Sequence, residues 1–263
     1  MTAAPSQDTA KPDAAPTGGA AHEMVELFKT IVYALLIALV LRVIFFQPFT
    51  IPSASMEPTL LEGDYIIVSK FSYGWSRHSA PFSPPLFKGR IMQREPKRGD
   101  IIVFKLPRDG RTDYIKRVIG LPGDKIQVKQ GQVFVNGAPI KRETLPSERV
   151  ENAFGLPHDV LRFKETLPSG KSYITYSFGP DSEAENTDVY DVPQGNYFMM
   201  GDNRDNSVDS RFPTDIGVGF VPAENLVGRA DIILFSWKMS ASLFKPWTWI
   251  TDMRPSRFGH GLN

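Results

Sequence analysis

The sequence contains no cysteine. This absence excludes a thiol nucleophile, a disulfide framework and any zinc site built from thiolates. The sequence also has no marked excess of positive or negative charge, because it contains 30 Lys and Arg residues and 29 Asp and Glu residues. A net charge of +1 gives no electrostatic reason to expect nucleic acid as a partner.

Histidine is scarce, and two common hydrolase motifs are absent. The four histidines are His22, His78, His158 and His260. Without an H-E-x-x-H motif a zincin is not indicated, and without G-x-S-x-G an α/β-hydrolase is not indicated. No local pattern points to a Ser-His-Asp triad. We therefore expect neither a metal nor an organic cofactor.

A long apolar run stands near the amino terminus. Residues 1–24 are rich in small and polar residues, which predicts a disordered tail. Residues 25–47 are almost continuously apolar, with Lys29 and Arg42 near the ends, and this length matches the roughly 20 residues of a membrane-spanning helix. Pro48 is expected to end the helix. A cleaved signal peptide and a buried soluble helix are the alternatives. The run is long for a signal peptide and shows no polar face for a soluble helix.

Residues 48–263 have the pattern of a β domain. The sequence contains 22 prolines and 21 glycines, which favours many turns and short strands. The fold class predicted is mostly β, with antiparallel sheets behind one amino-terminal transmembrane helix. Residues 74–96 are expected to form a long loop, and residues 143–193 an inserted lobe or extended hairpins. Strands are predicted at 64–70, 100–105, 114–120, 125–129, 132–135, 173–178, 196–200 and 226–235.

Two serines follow the apolar run in Ile51-Pro-Ser-Ala-Ser-Met-Glu-Pro-Thr-Leu60. If this segment is extended, Ser53 and Ser55 lie on the same side, about 6.6 Å apart along the chain. One hydroxyl could then attack a carbonyl group while the other stabilises the oxyanion. Taken alone, the segment is equally typical of a serine-rich linker.

A lysine stands inside an apolar strand in Asp113-Tyr-Ile-Lys-Arg-Val-Ile-Gly120. Strand alternation places Lys116 on the same face as Tyr114 and Val118, and Arg117 on the opposite face. Burial would lower the pKa of Lys116 and make it a competent general base for a serine hydroxyl. An exposed lysine on an edge strand is the alternative.

A third motif is the dense polar run Gly201-Asp-Asn-Arg-Asp-Asn-Ser-Val-Asp-Ser-Arg211. It supplies a hydroxyl, at Ser207, and charged side chains that could hold a site in place: Asp202, Asp209 and Arg211. A solvated turn is the alternative interpretation.

These three motifs and Lys97-Arg-Gly-Asp-Ile-Ile-Val-Phe104 follow one apolar helix in a fixed order. The set resembles the boxes of bacterial type I signal peptidases, the S26 family, over residues 25–236. The resemblance implies a membrane-bound serine endopeptidase that removes signal peptides from exported preproteins after small-x-small sites. It also implies a single-pass protein of the bacterial inner membrane, with the tail in the cytoplasm and the catalytic domain on the periplasmic side. Implied partners are preproteins, the lipid bilayer and the translocation machinery.

The resemblance assigns a role to each matching residue. Ser55 is similar to the family's nucleophile, Lys116 to its general base and Ser53 to the serine of the oxyanion hole. Ser207 resembles the serine that orients the lysine, and two supporting ion pairs are implied, Asp209 with Arg211 and Arg117 with Asp202. Residues implied to line shallow apolar substrate pockets are Phe49, Ile51, Met56, Leu60, Tyr114 and Ile115.

Two tryptophans, Trp247 and Trp249, stand in an aromatic segment near the carboxyl terminus. Because tryptophan prefers the headgroup region, they suggest an interfacial contact with lipid, with buried aromatic packing as the alternative. Two other functions remain open for the chain as a whole. One is a self-cleaving Ser-Lys protease of the repressor type, and the other is a non-catalytic membrane-anchored β domain that scaffolds export partners.

Overall fold

The computed structural model describes residues 19–85, 87–151, 156–180, 182–241 and 245–262. The contacts divide the chain into two units, Met1–Val40 and Leu41–Asn263. All described strands belong to the second unit. Residues 1–18 of the predicted tail lie outside the described residues, whereas residues 20–24 are helical.

The apolar run forms helix α1, Ala20–Ile44, which is long and apolar enough to cross a membrane. The helix therefore begins five residues before the predicted start at residue 25 and ends three residues before the predicted end at residue 47. The helix ends three residues early because Phe46–Thr50 forms strand β1 and pairs with the next strand. Pro48 lacks an N–H and biases Gln47 towards an extended backbone, which is tolerated because β1 lies at the edge of its sheet.

The main sheet has eight strands in the order β1-β2-β16-β5-β6-β14-β15, with β17 paired to β16. All its pairs of strands are antiparallel. The fold is therefore mostly β and antiparallel, as predicted. The bounds of its remaining strands are β2 Asp64–Ser69, β5 Ile101–Lys105, β6 Asp113–Gly120, β14 Asn196–Met200, β15 Val221–Pro222, β16 Leu226–Ser236 and β17 His260–Gly261.

Three smaller sheets and a short helix complete the described chain. The predicted lobe contains extended hairpins, a three-stranded sheet of β10 Lys141–Glu151, β11 Pro157–Thr166 and β12 Ser172–Ser177. A second sheet is formed by β13 Tyr190–Asp191, β7 Lys125–Lys129, β8 Gln132–Val135 and β9 Ala138–Pro139. The expected loop at 74–96 contains a short hairpin, β3 Trp75–Ser76 and β4 Arg90–Ile91, and α2 covers Thr248–Thr251.

The centre of the main sheet positions the three sequence motifs. Strand β6 lies between β5 and β14, with Ile102 opposite Lys116 and Met200 opposite Arg117. The polar run that begins at Gly201 therefore starts beside the strand that carries Lys116. Backbone hydrogen bonds of Ile51 with Asp64 and Gly63 join the segment after β1 to the start of β2, and its turn at Ala54–Met56 contacts β6.

The close pairing of β16 with β2 leaves no room for a side chain at Gly228. A methyl group there would come within 2.5 Å of the Ser69 carbonyl oxygen and 2.8 Å of the Val68 side chain. We expect Gly228→Ala to lower the free energy of unfolding by about 1–3 kcal/mol, because strand and core must shift. Chemical denaturation of the purified full chain measures this. Gly261→Ala is the control, since no atom lies within 4 Å of its added methyl group, and equal stability of the two variants would contradict the prediction.

Candidate active site

Ser55 lies in a short turn and not in the extended segment that the sequence suggested. Ser53 is extended, but Ala54–Met56 forms a single 3₁₀ turn, in which the amide of Glu57 donates to the Ala54 carbonyl oxygen at 3.1 Å. The turn brings the hydroxyl oxygens of Ser53 and Ser55 to 3.4 Å from each other. Ser55 is buried and Ser53 is exposed, so the two hydroxyls face the border between protein and solvent.

Lys116 reaches Ser55 from strand β6. Its Nζ lies 2.7 Å from Ser55 Oγ and donates to the Ile115 carbonyl oxygen at 2.9 Å. The lysine is 3% exposed, and the Tyr114 ring centroid on the same strand face is 5.5 Å from Nζ. Among the described residues, no carboxylate lies within ion-pairing distance of Nζ.

The environment of Lys116 lowers the pKa of its amine and so raises the fraction of the neutral form. Burial lowers the pKa of Lys116 from its ordinary value of 10.5 to about 8, although the charges of Asp209 and Asp202 oppose this effect. At pH 7 about one amine in ten is then unprotonated, compared with fewer than about one in a thousand for an ordinary lysine. An unprotonated amine at 2.7 Å can accept the proton of a serine hydroxyl.

Arg117 and Asp202 form the first predicted ion pair. The guanidinium donates to both carboxylate oxygens, at 2.8 and 2.6 Å, and both side chains are almost fully buried. Thr59 donates its hydroxyl proton to the same carboxylate at 2.5 Å. Because Thr59 is four residues after Ser55, this cluster ties the serine segment to β6 and to the start of the polar run.

Asp209 and Arg211 form the second predicted pair. Arg211 donates to both oxygens of Asp209 at 2.9 Å, and the Gly201 amide donates to the same carboxylate at 2.9 Å. Burial alone would raise the pKa of Asp209, but the charge and hydrogen bonds of Arg211 outweigh it and hold the pKa below its ordinary value. Asp209 therefore stays ionised and closes the loop that begins at Gly201.

Ser207 lies beside the dyad but does not touch the lysine at hydrogen-bonding distance. A methyl group added to Gly201 would come within 2.3 Å of Ser207 Oγ and 2.4 Å of the Ser55 carbonyl oxygen, so the two serines pack against the same face of that glycine. Within the described chain, the buried Ser207 hydroxyl has no partner at hydrogen-bonding distance. The orienting role implied for Ser207 remains a prediction.

The six residues predicted to line substrate pockets do not form one surface. One buried core cluster contains Ile51, Met56, Leu60 and Ile115, with Phe49 packed against it. Met56 and Leu60 have no exposed surface, so they form a wall behind the site and not an open lining. Tyr114 packs in another cluster, against Phe104 at 6.2 Å between ring centroids.

The sequence did not indicate a third buried ion pair, between the lobe and the polar run. Arg204 donates to the two oxygens of Glu165 at 2.6 and 2.5 Å, and Tyr173 donates to Glu165 at 2.9 Å. The Tyr173 ring also lies 4.0 Å below the Arg117 guanidinium. Arg204 stood inside a recognised motif, but nothing local in the lobe marked Glu165 as its partner.

Asn203 also contributes to the site without having been predicted. Its amide N–H donates to the Ser55 carbonyl oxygen at 3.2 Å, and its side-chain nitrogen donates to the Ala54 carbonyl oxygen at 3.1 Å. These bonds tie the backbone of the 3₁₀ turn to the polar run. Its position directly after Asp202 in the polar run is the sequence feature from which this role could have been predicted.

A second buried lysine, Lys70, does not share the geometry of Lys116. Burial also lowers the pKa of Lys70 to about 8. Its Nζ, however, donates to the backbone carbonyl oxygen of Ser79. A lysine pKa lowered by burial is therefore not confined to Lys116, since Lys70 and Lys171 share it, but in the described hydrogen bonds only Lys116 has it beside a serine hydroxyl.

Loss of the Glu165 charge is expected to destabilise the protein. Glu165→Gln leaves Arg204 buried beside a neutral group, and we expect about 3 kcal/mol less free energy of unfolding. The control is Glu143→Gln, which removes an exposed lobe carboxylate from its pair with Lys141 and should change stability by less than about 0.5 kcal/mol. Urea unfolding of the full chain measures the free energy of unfolding of both variants. Equal losses would show that the buried pair contributes no more to stability than the exposed pair.

Comparison with known proteins identifies the family of this chain. The family model described as "Signal peptidase, peptidase S26" matches residues 24–237. Signal peptidase I of Rickettsia typhi is 43% identical over 252 residues, covering 89% of this chain and 92% of the relative, and that of Rickettsia akari is 46% identical over 216 residues, covering 79% and 78%. A solved signal peptidase I from Enterococcus faecalis is 28% identical and covers 52% of this chain and 97% of its own, but its TM-score of 0.30 adds nothing to the argument. The family match and the curated relatives together show that the chain belongs to the signal peptidase family, peptidase S26, and is a serine endopeptidase.

Proposed function

We propose that this chain is a membrane-anchored endopeptidase that removes signal peptides after small-x-small sites, with Ser55 as nucleophile and Lys116 as general base. Removal of signal peptides by a serine peptidase follows from the family. The observation that carries the residue assignment is the distance of 2.7 Å between Lys116 Nζ and Ser55 Oγ, with the lysine buried and without a carboxylate partner in the described chain.

The first half of the reaction forms an ester. The unprotonated Lys116 amine takes the proton of the Ser55 hydroxyl as Oγ attacks the carbonyl carbon of the scissile bond. The resulting oxyanion accepts hydrogen bonds from the Ser55 backbone N–H and the Ser53 hydroxyl. The Lys116 ammonium then gives its proton to the leaving nitrogen, the C–N bond breaks, and the mature protein departs while the signal peptide stays on Ser55.

The second half releases the signal peptide. Lys116 is again neutral and takes a proton from water, whose oxygen attacks the ester carbon. The same two donors stabilise the second oxyanion. When the C–O bond breaks, the ammonium returns its proton to Ser55 Oγ. Both halves need only one proton acceptor of suitable pKa.

Specificity for small side chains is assigned to the apolar surroundings of Ser55. Phe49 and Tyr114 offer the partly exposed surface, and the buried Ile115, Met56 and Leu60 stand behind it as a rigid wall. A shallow site of this kind gains little free energy per methyl group but excludes large side chains by collision with the wall. We infer acceptance of Ala-x-Ala-like sequences on this basis.

The membrane assignment rests on α1 and on exposed aromatic residues. The family relatives and the apolar helix are consistent with a membrane-anchored enzyme. We infer a single pass through the bacterial inner membrane, with the catalytic domain on the periplasmic side. This placement gives Ser55, eleven residues beyond the helix end at Ile44, access to signal peptides still near the bilayer and to the translocation machinery.

The alternative functions make different demands on the chain. A self-cleaving repressor-type protease needs a DNA-binding domain, whereas the chain has a membrane-type helix and balanced charge. A scaffold without catalytic activity needs neither the Ser55 hydroxyl nor an unprotonated Lys116. Substitution of these two residues therefore separates a protease from a scaffold.

Ser55→Ala and Lys116→Met are each expected to lower kcat for a labelled Ala-x-Ala preprotein by at least about 10³-fold, because neither variant can form the ester. Cleavage in detergent is followed by gel and mass spectrometry. Ser147→Ala and Lys129→Met, at exposed positions, serve as controls with full activity. Normal cleavage by either dyad variant, with native thermal unfolding, would refute the mechanism.

Activity is expected to depend on the protonation of Lys116. Below the pKa of about 8 the ammonium form cannot accept a proton, so kcat should fall about tenfold per pH unit, and above it kcat should level off. Steady-state kinetics from pH 6 to pH 9.5 measure the profile. Lys70→Met should leave the midpoint in place because Lys70 does not face a serine hydroxyl. A flat profile, or a midpoint that moves with Lys70, would contradict the assignment.

The carboxyl-terminal tryptophans are expected to contact lipid. Trp247 and Trp249 are 62% and 48% exposed, which argues against the alternative of buried packing. In vesicles whose acyl chains carry bromine, Trp247→Phe with Trp249→Phe should remove most of the quenched fluorescence of the full chain. Trp237→Phe is the control, since its ring packs against Tyr65 and Phe258 within the catalytic unit. Undiminished quenching in the double variant would refute the contact.

A further inference from the structure

A cavity of about 700 Å³ opens in the catalytic unit beside the last turn of α1. This volume is within the usual range of roughly 300–1,000 Å³ for sites that hold small molecules. The residues of this cationic cavity that matter here are Arg42, His78, Phe82, Lys105, Arg111 and Asp113.

The cationic cavity has an excess of positive charge. Lys105 pairs with Asp113 at 2.9 Å and also donates to the Arg111 carbonyl oxygen at 2.8 Å. In the part of the chain that the structure describes, Arg42 and Arg111 have no carboxylate partner. Two guanidinium groups therefore face one cavity without a counter-charge, which is the arrangement that binds phosphate or carboxylate.

The pKa of Lys70 reflects this positive field. Burial is the main cause of its lowered pKa, and the next cause is the charge of Arg42. Lys105 acts in the same direction, and the opposing charge of Asp113 does not cancel them. At Lys70 the charge of Asp113 therefore does not offset the charges of Arg42 and Lys105.

The chain around the cavity has the aromatic residues typical of a bilayer surface. Phe45 and Phe46 follow the helix end and are 41% and 45% exposed, and Phe71 packs edge-on against Phe46 at 5.5 Å between ring centroids. Trp75 donates its indole N–H to the Ile44 carbonyl oxygen at 2.8 Å. If α1 spans the membrane, as the proposed function holds, this end of the domain lies at headgroup depth.

One strained loop presents an aromatic ring at the cavity rim. Phe82 is fully exposed, and it and Ser83 both have left-handed backbone angles, with φ of 64° and 48°. Such angles are costly for a bulky residue and require support. His78 gives that support, since its Nδ1 lies 2.8 Å from Ser83 Oγ, and burial lowers the pKa of His78 to about 4, so the ring stays neutral.

We propose that the cationic cavity is a binding site for the phosphate of an anionic phospholipid headgroup, held by Arg42 and Arg111. Phe82 would then lie in the boundary between headgroups and acyl chains. A free anion needs the two arginines but gains nothing from an exposed ring at the rim, whereas a lipid uses both. The proposal rests on the membrane anchoring in the proposed function and adds a defined lipid ligand to it.

Native mass spectrometry of the detergent-solubilised full chain tests the site by titration with phosphatidylglycerol and with phosphatidylcholine of the same acyl chains. We expect preferential binding of phosphatidylglycerol, weakened roughly fivefold for each arginine removed in Arg42→Gln with Arg111→Gln. The matched control is Arg94→Gln with Arg149→Gln, which changes the net charge equally at exposed positions outside the cavity and should bind as the wild type does. Phe82→Ser should weaken binding of the lipid only.

Four results would overturn the proposal. Equal binding of both lipids, or equal loss in the two double variants, would show that no specific headgroup site exists. Inorganic phosphate that binds as tightly as phosphatidylglycerol and is insensitive to Phe82→Ser would identify a site for soluble anions. Loss of soluble-peptide cleavage in Arg42→Gln with Arg111→Gln would assign the cavity to the substrate groove.

The same samples keep the two proposals apart. Peptide cleavage by the wild type reports the protease, and lipid adducts report the cavity. Lipid binding without cleavage would leave the headgroup site standing and remove the proposed function. Cleavage without selective lipid binding would do the opposite.

Discussion

Burying a lysine amine without a counter-charge costs free energy, and the arrangement around Lys116 depends on that cost. A fall in pKa from 10.5 to about 8 corresponds to roughly 3 kcal/mol against the protonated form. The fold maintains this penalty because Nζ is held 2.7 Å from Ser55 Oγ and cannot turn towards water. The same constraint supplies a base of suitable strength and directs it at one hydroxyl.

Two buried arginines keep the lysine unpaired. The carboxylates of Asp209 and Asp202 lie near enough to raise its pKa, but Arg211 already binds Asp209 and Arg117 already binds Asp202. A third buried pair, Arg204 with Glu165, holds the lobe. The arginines remain charged at any working pH, so they satisfy the carboxylates without competing as bases. The pairs also join the serine segment, the lysine strand, the polar run and the lobe, so that stability and the geometry of the dyad come from one set of contacts.

The sequence predicted the helix and the strands better than the long-range contacts between them. Period-two patterns located the strands, and the motif order identified the family, because both are local properties of the chain. Helix α1 ends before the predicted residue 47 because the pairing of β1 with β2 outweighs the apolar character of Phe45 and Phe46. The contact of Glu165 with Arg204 spans 39 residues and has no local signal, and the core position of Met56 and Leu60 depends on how the sheet curls. These contacts and burials depend on long-range packing, which cannot be predicted from the local composition of the chain.

The protonation of Lys116 itself is the most direct measure of this account. Nuclear magnetic resonance of the full chain with isotopically labelled lysine gives the pKa of each amine, and Lys116→Arg identifies the signal of Lys116 by its loss. The account predicts that this signal titrates near pH 8, apart from the exposed lysines. Titration at the ordinary value of 10.5 would contradict it, because the dyad would then lack its base.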